Sequence, residues 1–104
     1  MQTFAPGGVT GRLSLRSRRE VAGELLAVED SAFLLLAVDR TLVRVPLSVV
    51  RSAQAAYGGF VSPLTPWERE RIRLASRYPD GVTPELEQHL LAAYLQQAVT
   101  MISK

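Results

Sequence analysis

The sequence predicts an α+β protein in which a small five-stranded antiparallel β-barrel is followed by two C-terminal α-helices. Apolar and polar residues alternate in short runs between residues 11 and 57, as they do in half-buried strands. Thr65-Pro66 and Thr83-Pro84 then mark two helix starts. We therefore expect a barrel over residues 9–57, a linker over 58–64 and a helical pair over 65–104 that packs on the barrel or in a subunit interface.

The first three strands are predicted from their patterns of apolar residues. Leu13 and Leu15 share one face of the run GRLSLRS, and arginine and serine occupy the other. The next run, EVAGELLAVED, contains Gly23, and a glycine inside a strand often marks a bulge or a sharp bend. The third run, SAFLLLAVD, is apolar on both faces. Its outer face must therefore be covered, either by the C-terminal helices or by another subunit.

The last two strands complete the predicted barrel. The run TLVRVPL places Val43 and Val45 inward and Arg44 outward, and VVRSAQAAY follows almost directly. Polar segments at residues 29–31 and 39–41 suit hairpin turns. Short strands joined by such turns around one bent strand are typical of a small, strongly curved barrel.

The helical half begins after a linker, AAYGGFVSPLTP, in which glycine and proline interrupt regular structure. Thr65 and Glu68 predict a capping box for a helix that continues to about Arg77. The second predicted helix extends from Thr83 to about Ile102 and is apolar over most of its surface. Such a helix is buried from two sides or lies in a subunit interface, and we favour the interface. The residues expected in that interface are Leu91, Leu95, Ala98 and Ile102.

Composition limits the compartment in which we expect the protein. A chain of 104 residues suits one small domain, and it contains no cysteine for disulfides or thiolate chemistry. The segment MQTFAPGG lacks the basic and apolar regions of a signal peptide. No apolar run approaches the roughly 18 residues that a membrane span requires. We therefore expect a cytoplasmic protein without a membrane partner.

The sequence contains no signature of catalysis. His89 is the only histidine, and Glu85 lies four residues before it, but no third metal ligand follows at helical spacing. Glu29 and Asp30 are neighbours in an extended segment, so their carboxylates point to opposite faces. No phosphate-binding glycine loop and no Gly-x-Ser-x-Gly elbow are present. We expect no enzyme activity, no cofactor, no metal site and no small-molecule substrate.

Three aromatic residues lie near the linker: Tyr57, Phe60 and Trp67. If exposed, they could stack on the bases of a nucleic acid. The alternative, which we favour, is that they hold the linker and the first helix against the barrel.

Arginine accounts for eleven of the twelve basic residues, and the net charge of +2 arises entirely in the first half of the chain. Arginine forks bind the oxygens of phosphate groups in pairs. The arginines of the predicted barrel therefore form a candidate nucleic-acid-binding set, although ordinary surface charge, partly paired with acids, is the alternative. The members of this set are Arg12, Arg16, Arg18, Arg19, Arg44 and Arg51.

The stretch from Val21 to Ser52 resembles the Sm-like family of small β-barrels (LSm and Hfq type). Residues 21–23 match the opening of the family motif, residues 29–30 its acidic close, and residues 33–36 the apolar strand that follows. The resemblance implies a five-stranded barrel that assembles edge to edge into a ring. It also implies RNA binding by the loops after the second and fourth strands, where the candidate residues here are Asp30, Ser31 and Ser48.

Taken together, the residues and the resemblance predict a non-catalytic homo-oligomer that binds single-stranded RNA through contacts between arginine and phosphate. The alternative is a scaffold for protein interaction or assembly that uses the apolar C-terminal helix as its binding surface.

Overall fold

The structure is a computed structural model, and it describes residues 10–55, 58–61 and 65–102. Those residues form seven strands, two α-helices and one 3-10 helix. The strands are β1 (Thr10–Leu15), β2 (Glu20–Val28), β3 (Ala32–Ala37), β4 (Leu42–Pro46), β5 (Val50–Ala55), β6 (Gly58–Val61) and β7 (Thr100–Met101). The helices are α1 (Pro66–Ala75), α2 (Pro84–Ala93) and the 3-10 helix (Leu47–Val49).

The strands form one open sheet in the order β6-β5-β1-β2-β3-β4-β7. All its pairs are antiparallel except β4 with β7, which are parallel, so the sheet is mixed. The closed five-stranded barrel predicted from the sequence is therefore wrong. Two further strands lie at the edges, because residues expected in the linker form β6 and residues expected in the last helix form β7. Only the broad description as strands followed by two helices, an α+β arrangement, applies.

The sheet is strongly curled, because the connection from β4 to β5 is too short for a flat one. Four strand spacings separate β4 from β5 in the sheet, and at about 4.8 Å each they would extend about 19 Å if the sheet were flat. The chain from Pro46 to Val50 can reach at most about 14 Å. The 3-10 helix makes this connection, and it binds both neighbouring turns. Leu47 N donates to Ser31 O at 2.8 Å, and Arg16 N donates to Val49 O at 2.9 Å.

Gly23 allows β2 and β3 to approach each other closely at the bend. It pairs with Ala37, and a Cβ atom at this position would lie 2.2 Å from the carbonyl oxygen of Leu36. No side chain fits in that space, so the sequence signal at Gly23 marks a real steric requirement. The register shift itself comes slightly later, between Leu25 and Ala27, where Leu26 is the extra residue of a β-bulge.

Apolar residues cover both faces of the sheet, and each face is closed by one helix. The core of one face contains Leu13, Leu15, Val21, Leu25, Phe33, Leu35, Val43, Val45, Val50, Ala53 and Ile72 of α1. The core of the other contains Leu26, Ala27, Leu34, Leu42 and, from α2, Leu90 and Leu91. The prediction that something must cover the outer face of the third strand is confirmed, and of the two candidates the chain's own second helix provides that cover.

Both helix starts agree with the sequence, but the second helix ends early. The Thr65 side chain and Glu68 form the complete capping box, and the Thr83 hydroxyl accepts a hydrogen bond from Leu86 N at 3.1 Å. α2 ends at Ala93 rather than near Ile102. Beyond that end, the Gln96 side chain accepts from Leu42 N at 2.9 Å and donates to Arg40 O. Further along, the chain pairs with β4 as β7. The Gln96 side chain and β7 together provide hydrogen-bond partners for the edge of β4, which would otherwise be unpaired.

Replacing Gly23 tests the close approach at the bend. We expect Gly23→Ala to lower the free energy of unfolding by about 3 kcal/mol, because strand backbone must move to admit the methyl group. Gly81→Ala is the matched control: Gly81 has a φ of +96° and nothing within 4 Å of an added Cβ, so only backbone strain of about 1 kcal/mol is expected. Urea unfolding of both variants measures the difference. Equal losses would show that β2 and β3 are not in such close contact.

Candidate nucleic-acid interface

The turn between β1 and β2 carries three of the predicted arginines on a tight backbone. Leu15 N donates to Arg19 O at 2.8 Å and Arg18 N donates to Leu15 O at 3.0 Å, which closes a three-residue hairpin loop. The third loop residue, Arg18, has a φ of 71°. Glycine or asparagine usually occupies this left-handed position, and another residue costs about 1 kcal/mol there. An arginine is thus held where glycine would be more stable.

Further candidate residues lie beside this turn, in the 3-10 helix and at the start of β5. Arg16 Nε donates to Ser48 O at 3.1 Å. Arg51 follows Val50, which pairs with Leu15, and the register shift between β1 and β5 leaves Arg51 as the additional residue. We call this region the arginine end and define it as Arg16, Arg18, Arg19 and Arg51 together with the 3-10 helix. All four arginines are exposed.

A shallow groove lies within the arginine end. It has a volume of about 320 Å³ and is lined by Arg16, Ser17, Ser48 and Val49. Within residues 10–55, 58–61 and 65–102, Arg18 and Arg51 form no ion pair. Their guanidinium groups are therefore directed to solvent without a carboxylate to neutralise them. Exposed arginines beside an open groove are able to bind phosphate oxygens.

The loop candidates Asp30, Ser31 and Ser48 are close to the arginine end. The Ser31 carbonyl accepts the Leu47 amide at 2.8 Å, and Ser48 accepts from the Arg16 side chain, so the loops after β2 and β4 meet at the 3-10 helix. Asp30 is fully exposed and lies 3.8 Å from Arg69 of α1. The structure thus brings together two loops and a turn that the sequence placed separately.

Arg44 does not belong to this surface. Its Nε and Nη2 atoms donate to the two Glu29 carboxylate oxygens at 2.7 and 2.9 Å, and Nη2 also reaches Glu87 of α2 at 2.9 Å. The side chain is only 24% exposed. The hydrogen bonds that Arg44 donates to Glu29 in particular, and to Glu87, raise the pKa of Arg44. Arg44 therefore joins β4, the β2–β3 turn and α2, and it is engaged in holding the fold together.

Arg12 is also separate from the arginine end. It lies on β1 between Ala22 and Gln54, and its Nε is 3.6 Å from Glu20 in an exposed ion pair. Such a pair contributes little to stability. Of the six predicted arginines, four therefore lie together and two lie elsewhere.

The four residues expected in a helical interface do not share one face. Leu91 is buried against the chain's own sheet, whereas Leu95 is 93% exposed and follows the end of α2. Ala98 is exposed, and Ile102 packs against the core that contains Ile72. A continuous apolar helix surface does not form, because the chain leaves the helix after Ala93.

Trp67 is exposed, contrary to the expectation that it holds α1 against the sheet. It is 69% exposed, and the Arg71 guanidinium lies 4.8 Å from the centre of its ring. Tyr57 and the side chain of Phe60 lie outside the described residues. The sequence named Trp67 as a possible stacking residue, but only the structure shows its exposure.

Neither a metal cluster nor a membrane-spanning helix occurs in the described ranges. No group of three or more histidine or acidic side chains is placed there to bind a metal ion, and Glu85 and His89 are exposed. No helix there is long and apolar enough to cross a bilayer.

In comparisons with known proteins, no family model, no curated protein and no solved structure matches the chain. The resemblance to the Sm-like family stays a prediction.

Replacing Arg44 tests its structural role. We expect Arg44→Ala to lower the free energy of unfolding by about 2–3 kcal/mol, because Glu29 and Glu87 would lose the cation between them. Arg12→Ala removes the same residue type from an exposed pair and should have a much smaller effect. Thermal and urea unfolding of the two variants provide the comparison. An Arg44 variant as stable as the Arg12 variant would contradict the structural role.

Proposed function

We propose that this protein is a non-catalytic binding protein for single-stranded RNA, and that it binds the RNA phosphates at the arginine end. The observation that supports this most is the position of Arg16, Arg18 and Arg19 in one turn, where Arg16 lines a groove together with Ser48 and Arg51 follows in the paired strand β5. Phosphate contacts supply most of the affinity of proteins that bind nucleic acid without sequence preference.

The backbone of the β1–β2 turn holds Arg18 in a left-handed conformation, and Arg40 shares this conformation in the β3–β4 turn. The strain therefore does not by itself distinguish Arg18 from Arg40. What distinguishes Arg18 is its place in the same turn as Arg16, beside the groove at the 3-10 helix. Glycine at this position would relieve the strain and remove the charge.

The proposal concerns a single chain and does not depend on a ring. The ring implied by the Sm-like resemblance would use free sheet edges, and here β7 and Gln96 of the same chain occupy the edge of β4. Homo-oligomer formation stays a prediction. The assembly alternative has no specific observation in its favour, because Leu90 and Leu91 already pack on the chain's own sheet.

The absence of cysteine favours a reducing compartment such as the cytoplasm.

A titration of fluorescently labelled single-stranded RNA at several salt concentrations tests the function. Four arginine–phosphate contacts on a single strand predict that the logarithm of the binding constant falls against the logarithm of salt with a slope of about −3. An absence of binding at low salt would refute the proposal. A slope near zero would show that the contacts are not ionic.

Two matched glycine substitutions separate strain from binding. Arg40 occupies the same position in the β3–β4 turn as Arg18 does in the β1–β2 turn, with a φ of 70°. Both Arg18→Gly and Arg40→Gly should raise the free energy of unfolding by about 0.5–1 kcal/mol, because glycine accepts positive φ. Both remove one positive charge.

Only Arg18→Gly should weaken RNA binding, and it should reduce the magnitude of the salt slope by about 0.7. The unfolding curves show whether the strain is relieved, and the titrations show whether the contact is lost. Equal effects of the two variants on RNA affinity would mean that the arginine end is not the binding site.

A further inference from the structure

Trp67 lies at the start of α1, directly after Pro66, which lines a second groove between α1 and the 3-10 helix. This groove has a volume of about 590 Å³, and its lining includes Pro66 and Arg69 of α1 and Leu47 of the 3-10 helix. Ser48 and Val49, the next two residues of the same 3-10 helix, line the groove at the arginine end. The two grooves therefore lie against the same 3-10 helix, and a polymer that occupied both would cross it.

Arg71 covers one face of the Trp67 ring. Its guanidinium lies 4.8 Å from the ring centre, and Trp67 nevertheless stays 69% exposed. Arg71 is half-buried, and its Nε atom has no hydrogen-bond partner among the described residues. The indole can bind a cation on one face and a planar base on the other, because both contacts use its π-surface.

The two acids of α1 are both engaged by hydrogen bonds. Glu68 accepts from the Thr65 amide in the capping box. Glu70 accepts from Arg73 at 2.9 Å, and the hydrogen bond to Arg73 lowers the pKa of Glu70. Arg69, Arg71 and Arg73 outnumber the two acids, so α1 carries a net positive charge. The lining of the second groove is itself balanced, with Asp30 and Glu70 against Arg69 and Arg73.

We infer that Trp67, stacked on Arg71, is a platform for one base of the single-stranded RNA whose phosphates bind the arginine end. The inference rests on the proposed function and adds the chemistry by which a single strand is distinguished from other polyanions. Stacking on an exposed ring requires an unpaired base, and every base has a π-face. The ligand is therefore single-stranded and accepted with little sequence preference, whereas duplex RNA presents no free base face.

Trp67 is the only tryptophan of the chain, so its fluorescence reports the contact directly. The probes are a ten-nucleotide oligouridylate, an abasic ribose-phosphate oligomer of the same length, a ten-base-pair RNA duplex and a polyglutamate peptide. We expect oligouridylate to quench Trp67 and the abasic oligomer to bind with little quenching. Stronger quenching by polyglutamate than by oligouridylate would overturn the inference in favour of an acidic protein partner.

Substitution of Trp67 supplies the second measurement, made with labelled RNA. We expect Trp67→Ala to weaken oligouridylate binding about tenfold, to leave abasic-oligomer binding unchanged, and to be partly rescued by Trp67→Phe. Leu74→Ala is the matched control, because Leu74 is an exposed apolar residue two turns further along α1. If oligouridylate binds the wild type and Trp67→Ala with equal affinity, stacking is refuted while the proposed function stands. If oligouridylate does not bind at all, the proposed function itself fails.

Asp30 tests the path over the 3-10 helix. It lines the second groove and is fully exposed, with Arg69 at 3.8 Å. A phosphate that passes there meets its negative charge, so Asp30→Asn should tighten oligouridylate binding about two- to threefold at low salt. Asp39→Asn changes the same charge in the β3–β4 turn and should leave affinity unaltered. An unchanged affinity for Asp30→Asn would show that the strand does not follow this path.

Discussion

The close contact between β2 and β3 at Gly23 is the constraint on which the rest of the structure depends. Only a residue without a side chain fits against the Leu36 carbonyl, and the bulge at Leu26 adds to the bend that follows. Because the sheet curls, the three-residue 3-10 helix is able to connect β4 with β5. That helix in turn places Ser48 beside Arg16. The geometry of the arginine end is thus determined by a residue that lies outside it.

Local sequence signals predicted the parts of the fold that depend on local physics. The alternation around Leu13 and Leu15, and the Thr65 capping box, are confirmed because burial of a strand face and satisfaction of helix amides follow from nearby residues. The short edge strands were missed for the same reason. β6 contains two glycines, and β7 is two residues long, so each is a strand only through its pairing with β5 or β4. No periodicity reveals a strand of that kind.

The arginines show why a candidate site cannot be assigned from residue type alone. Alternation placed Arg44 correctly on the face opposite Val43 and Val45, but its partner Glu87 is 43 positions away on a helix whose packing the pattern does not determine. Arg18, in contrast to Arg44, is exposed and has a positive φ. Both properties appear only in the folded backbone. Burial and pairing therefore separate a structural arginine from a candidate binding one.

The pairing of β1 with β5 has a consequence for the order in which the molecule folds. The hairpins β2–β3 and β3–β4 close over short turns, whereas Arg16 and Ser48 are 32 positions apart in the chain. Contacts of high sequence separation form late, since the loop that they close must first lose its entropy. We therefore expect the groove at the arginine end to be completed after the central hairpins have formed, and before the longer-range contacts of Gln96 and β7 with β4. A chain whose β5 has detached still carries the arginine turn but lacks the Ser48 wall, so the groove exists only once β5 has joined the sheet.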